Sequence, residues 1–100
     1  MKKVYSRIKN MFDRKQINKV YILAGNCMAA KMYKKDIQIN TEIHKMNVVI
    51  LNKNNIKVIN LDKDIIVLCG RWYLNRLSSS KELKELLKKC YSIPVDEIGG

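Results

Sequence analysis

A chain of 100 residues that is 47% hydrophobic and 29% charged has the balance of one globular domain, and that balance excludes an intrinsically disordered chain. The net charge of +11, from 20 Lys and Arg against 9 Asp and Glu, directs attention to polyanionic partners. No apolar run approaches the ~20 residues of a membrane span, and no apolar stretch follows the N-terminal lysines, so neither a span nor a secretory leader is expected.

Residues 2–14 read as an amphipathic helix. Val4, Tyr5, Ile8, Met11 and Phe12 fall at i, i+1, i+4, i+7 and i+8, one face at 3.6 residues per turn. Cations crowd the rest, and residues 1–19 carry Lys2, Lys3, Arg7, Lys9, Arg14, Lys15 and Lys19 against Asp13 alone. This segment is the electrostatic feature of the chain. The lysine excess elsewhere accompanies many Ile and Asn, the bias of an AT-rich coding sequence, so part of the total charge is compositional. The basic helix and its connector (1–18) are expected to precede a small α/β domain (19–100).

Val20 to Ala24 is an all-apolar run, the mark of a strand buried on both faces. It ends at Gly25-Asn26, and Asn26 is a good N-cap for a helix over Cys27 to Asp36 with Met28, Ala29, Met32 and Tyr33 on one side. The stretch Ile37 to His44 fits either an alternating strand or a helix end and loop. Asn47 to Leu51 reads as a strand, 52–55 as a turn, Ile56 to Leu61 as a strand or a helical turn, and 62–64 as another turn. Ile65 to Cys69 is the second all-apolar strand, ending at Gly70 as the first ends at Gly25. Ser79-x-x-Glu82 has the spacing of a capping box before the helix Lys81 to Cys90, whose Leu83, Leu86, Leu87 and Cys90 form a core stripe. Tyr91 to Val95 reads as a last strand, and Pro94, which cannot donate to a ladder, assigns it to an edge. The alternation predicts a small three-layer α/β sandwich with a mainly parallel sheet of three to five strands, plus the basic N-terminal helix.

In such a sheet both glycines would lie at the C-terminal edge, where ligands of open α/β folds bind. The expected phosphate or ligand site is Gly25, Asn26 and Cys27 with Gly70, Arg71, Trp72, Tyr73 and Arg76. Helix-opening amides and arginines suit phosphate, and the two rings suit a base. A Walker loop and a GxGxxG are both absent from the sequence. Catalysis is the least favoured reading, because Cys27 has only His44 as a possible base. Cys27, Cys69 and Cys90 show no paired spacing, so free thiols in a reducing cytoplasm are expected, with no metal and no cofactor.

The two strand ends, Ala24-Gly25-Asn26 and Gly70-Arg71-Trp72, resemble those of a group of small phage- and prophage-encoded α/β proteins. The group's pattern is a strand ending in Ala-Gly, a helix, a middle strand, and a strand ending in Gly-x-Trp before a C-terminal helix. The likeness covers about residues 19 to 90. It implies a minimal Rossmann-like fold without a nucleotide loop, and a viral or mobile-element setting in the host cytoplasm.

Two functions are therefore expected. One is a non-catalytic binding module for nucleic acid or a nucleotide phosphate, in which Lys2, Lys3, Arg7, Lys9, Arg14 and Lys15 track phosphates. The alternative is an accessory factor that docks on a host protein, or on a second copy, through the apolar stripe of the N-terminal helix.

Overall fold

The computed structural model describes residues 2–95, with the side chain of Lys2 outside that description. Chain order is α1 (Lys2–Asp13), β1 (Lys19–Leu23), α2 (Cys27–Thr41), β2 (Val48–Ile50), β3 (Asp64–Cys69), α3 (Lys81–Lys89) and β4 (Ser92–Val95), with short 3-10 turns between. The strands form one sheet in the order β2-β1-β3-β4, and every pairing is parallel. β1 and β3 are the central strands, which is why their sequences are apolar without alternation. In the shared register Val20 lies opposite Val48 and Ile65, and Ile22 opposite Ile50 and Val67.

The step from β1 to β2 and the step from β3 to β4 leave the centre in opposite directions. Right-handed crossovers then require α2 and α3 to lie on opposite faces of the sheet. They do. Ala30, Tyr33 and Ile37 of α2 pack with Val20, Ile22 and Val67, and Leu83 of α3 packs with Tyr21, Leu23 and Ile66. The result is the three-layer arrangement with a parallel sheet expected from the alternation, and its layering is Rossmann-like.

α1 joins the α2 layer. Tyr5 and Ile8 are buried, and Val4, Met11 and Phe12 pack against the same cluster. The Tyr5 hydroxyl donates to Asp36 Oδ2 of α2 at 2.6 Å, while Arg7 stacks 5.5 Å over the ring of Tyr91, just before β4, and donates to its hydroxyl. Burying Ile8 alone is worth about 1.5–3 kcal/mol. The stripe is therefore core, and a docking or self-association surface built on it would have to compete with the sheet. The helix closes in a Schellman motif: Gln16 N donates to Met11 O and Lys15 N to Phe12 O, with Lys15 at φ 59°.

Four sequence expectations are corrected or resolved. α2 runs five residues past Asp36, because Ala30, Tyr33, Ile37 and Thr41 form its buried stripe. Ile37, Ile39, Thr41 and Ile43 alternate by coincidence, and Ile39 is exposed. The predicted face of Met28, Ala29, Met32 and Tyr33 divides, since Met28 and Met32 are 75% and 55% exposed. The cap of α3 is Ser80 rather than Ser79. Ser80 Oγ accepts from Leu83 N at 3.1 Å, whereas the Ser79 hydroxyl donates to Arg76 O in the preceding turn. Leu83, whose amide the cap receives, is fully buried in the α3-side cluster. Residues 55–58 form a 3-10 turn, with Ile56 buried on the α3 face.

Candidate functional site

The turns that follow β1 and β3 meet at the C-terminal edge of the sheet. A Cβ on Gly25 would stand 2.9 Å from the carbonyl oxygen of Arg71, closer than side chains tolerate, so glycine is required by the approach of the second turn. Gly70 sits at φ 52°, and its N–H donates to Val95 O at 2.8 Å, which ties the same turn to β4. A residue the sequence did not single out locks the junction. Asn75 Nδ2 donates to Ala24 O at 2.8 Å, while Asn75 Oδ1 accepts from Leu77 N at 2.9 Å. One side chain thus joins the end of β1 to the 3-10 turn at Arg76–Ser79.

Asn26 caps α2 by accepting from Ala29 N at 2.8 Å. Its carbonyl accepts the first helical bond, from Ala30 N. The amides of Cys27 and Met28 belong to the first turn, where partial positive charge gathers.

Two clefts flank this turn, and Asn26 lines both. The smaller, about 340 Å³, lies at the β1/β3 switch point, lined by Gly25, Tyr33, Cys69, Gly70 and Arg71. The larger, about 560 Å³, opens on the β1/β2 side. Its walls are Ile22, Ala24, Ile50, Leu51 and Leu77, and Lys53 and Arg76 stand at it with Cys27. Among the described residues, neither cleft has an acid in its lining. Lys53 comes from the turn after β2, whose tip is organised by Asn52 Oδ1 accepting from Asn54 N and Asn55 N.

Gly25, Asn26, Cys27, Gly70, Arg71 and Arg76 are therefore brought to one rim, on the two sides of one turn. Trp72 and Tyr73 are placed differently. Trp72 is half-buried against the α3-side cluster, and Tyr73 is 59% exposed, its ring edge-on to Trp72 at 6.1 Å. Neither ring lines the two clefts.

The basic helix forms a separate surface. Lys3, Arg7 and Arg14 line an open groove of about 500 Å³ on its outer side. Lys9 faces the end of α2, where it pairs with Glu42 at 3.3 Å. Lys15 is exposed beyond the helix end, and its carbonyl accepts from Lys63 Nζ at 3.4 Å.

The remaining titratable groups read as structure. Burial pushes the Cys69 thiol up to about 12, and burial also raises Cys90, whose Sγ lies 3.3 Å from Asp64 O. Burial, then the Asp36 hydrogen bond, raises the Tyr5 phenol. His44 is exposed, and its Nδ1 accepts from Met46 N to cap a 3-10 turn. No group of three or more His, Cys, Asp or Glu that could hold a metal exists among the described residues, and no described helix is long and apolar enough to cross a membrane. Comparison with protein-family models, with curated proteins and with solved structures finds no match to this chain.

Proposed function

We propose that this protein is a non-catalytic binding module for phosphate-bearing ligands, nucleic acid or a nucleotide, that uses the C-terminal rim of its sheet and the outer face of α1. One observation carries the reading. The turns after β1 and β3 close on each other at the rim, and the clefts on either side hold Arg71 on one flank and Lys53 with Arg76 on the other, with no acid among the described residues that line them. Ligands of open α/β sheets bind at such a rim. The groove of Lys3, Arg7 and Arg14 would add phosphate contacts for a polymer. The resemblance described above adds a phage or mobile-element setting to the proposal and rests on those two strand ends alone.

Docking on a host protein through the apolar stripe of α1 is the weaker reading, because Tyr5 and Ile8 lie in the core. Fluorescence anisotropy with labelled single-stranded DNA, RNA and duplex DNA across a salt series tests the proposal. If about six phosphates are contacted, log Kobs should fall with log salt at a slope of about −5 on duplex. A slope near zero, or no binding at low salt, would sink it.

A further inference from the structure

The larger cleft has the make-up of a small-ligand site. Its walls, Ile22, Ala24, Ile50, Leu51 and Leu77, are aliphatic, and they leave about 560 Å³ open at the rim of a rigid sheet. Pockets of roughly 300–1,000 Å³ with apolar walls and a few convergent polar groups are the usual sites for small organic ligands. A polynucleotide backbone would not use such walls. A single flat ring system would, since the slot offers apolar contact without a charged floor.

The polar groups at the same cleft select the rest of the ligand. Lys53 and Arg76 arrive from the turns after β2 and β3, and among the described residues no carboxylate lines the cleft beside them. Both side chains are exposed, so neither is committed to the core. Two such cations favour one anionic head group, with Arg76 able to make a two-pronged contact with phosphate and Lys53 acting as a point charge. Asn52 adds a donor. Its Oδ1 is taken by Asn54 N and Asn55 N, and its Nδ2 has no partner among the described residues.

We infer that this cleft receives one nucleoside monophosphate unit, with the base against the aliphatic walls and the phosphate between Lys53 and Arg76. The inference rests on the rim reading above and narrows its ligand to a unit with both a flat apolar body and a phosphate. The unit is either a free nucleotide or the phosphorylated end of a strand.

Amide NMR titrations of the full chain test this. The probes are the four common nucleoside monophosphates, the matching nucleosides, inorganic phosphate, and short single-stranded oligonucleotides with and without a 5′ phosphate. At least one monophosphate should shift the amides of Leu51, Lys53, Arg76 and Leu77, and should bind at least about tenfold more tightly than its nucleoside or inorganic phosphate. Lys53→Glu and Arg76→Glu should each weaken it by about tenfold or more, with folding checked by circular dichroism, while Lys84→Glu on the exposed side of α3 should leave it unchanged. Tighter binding of the 5′-phosphorylated oligonucleotide would identify a strand end as the source, and tighter binding of the free monophosphate a metabolite. Shifts confined to α1, or equal affinity for inorganic phosphate, would overturn the inference. Salt-dependent polymer binding without any monophosphate binding would overturn it too and leave the broader function standing. Loss of both would remove both.

Discussion

The outer face of α1 and the C-terminal rim of the sheet hold their cations in different ways. α1 has the density: Lys3, Arg7, Arg14 and Lys15 are exposed within four turns of chain, on a helix whose other face is core. Its groove is an open surface, and Arg7 and Lys9 already serve as struts to Tyr91 and Glu42. The rim has few cations but places them around concave, partly apolar space. Charge density and ligand shape are therefore carried by different parts of the molecule. A long-range field steers a polyanion and is screened within about 8 Å at physiological salt, whereas a shaped cleft discriminates between ligands at contact.

α1 is structural as well as basic, and the largest expected effect tests that. Removing residues 1–14 should abolish a cooperative urea transition, and Ile8→Ala alone should cost about 2–5 kcal/mol. A truncated chain that still unfolds cooperatively would make α1 an appendage. The next effect lies at the rim. Gly25→Val should destabilise by about 1–3 kcal/mol or more in the same assay, since its side chain must displace the Arg71 carbonyl. An unchanged midpoint would mean that the two turns are free to part. Asn75→Ala should cost about 1–3 kcal/mol by leaving the Ala24 carbonyl without its donor, and should loosen both clefts without touching α1.

The smallest effect is silent at neutral pH. Cys69 has an ordinary value of 9.0 and a folded value of about 12, and Tyr5 is raised in the same direction. Both groups are neutral in the folded state over this range and ionise first in the unfolded chain. Their contribution is therefore intact below about pH 9 and is lost as pH climbs toward 12, so stability should fall over that window. Urea melts at successive pH values read the fall, and Cys69→Ala should flatten it. A thiol reagent at pH 8 should label the exposed Cys27 and spare Cys69 and Cys90 while the chain is folded.

Much of the fold can be read in the residues. The two unbroken apolar runs mark the central strands, Pro94 marks an edge strand, and the stripes of α1 and α3 mark their buried faces. The open and the corrected readings cluster where local pattern has two solutions. Ile37 to Ile43 satisfies a period of 2 as well as the end of a helix, and only the sheet beneath α2 selects Ile37 and Thr41 for burial. Ser79 and Ser80 are both competent caps, and the preceding turn takes the Ser79 hydroxyl while Ser80 receives the Leu83 amide. Of the candidate site, the glycine turns and the arginines were visible in the sequence, but Asn75 and Lys53 were not. Asn75 lies 51 positions from the carbonyl it holds, and no short-range spacing encodes that bond.

By itself, the sequence determined which segments must be buried, where they turn, and that positive charge gathers at the N-terminal helix, because burial and turn chemistry act over a few residues. The strand order was decided only by the tertiary structure. Placing β2 and β3 on opposite sides of β1 brings the turns after β1 and β3 into contact and carries the loop after β2 to the same rim. A cleft is a property of distances between segments, and those distances exist only once the sheet has closed its register.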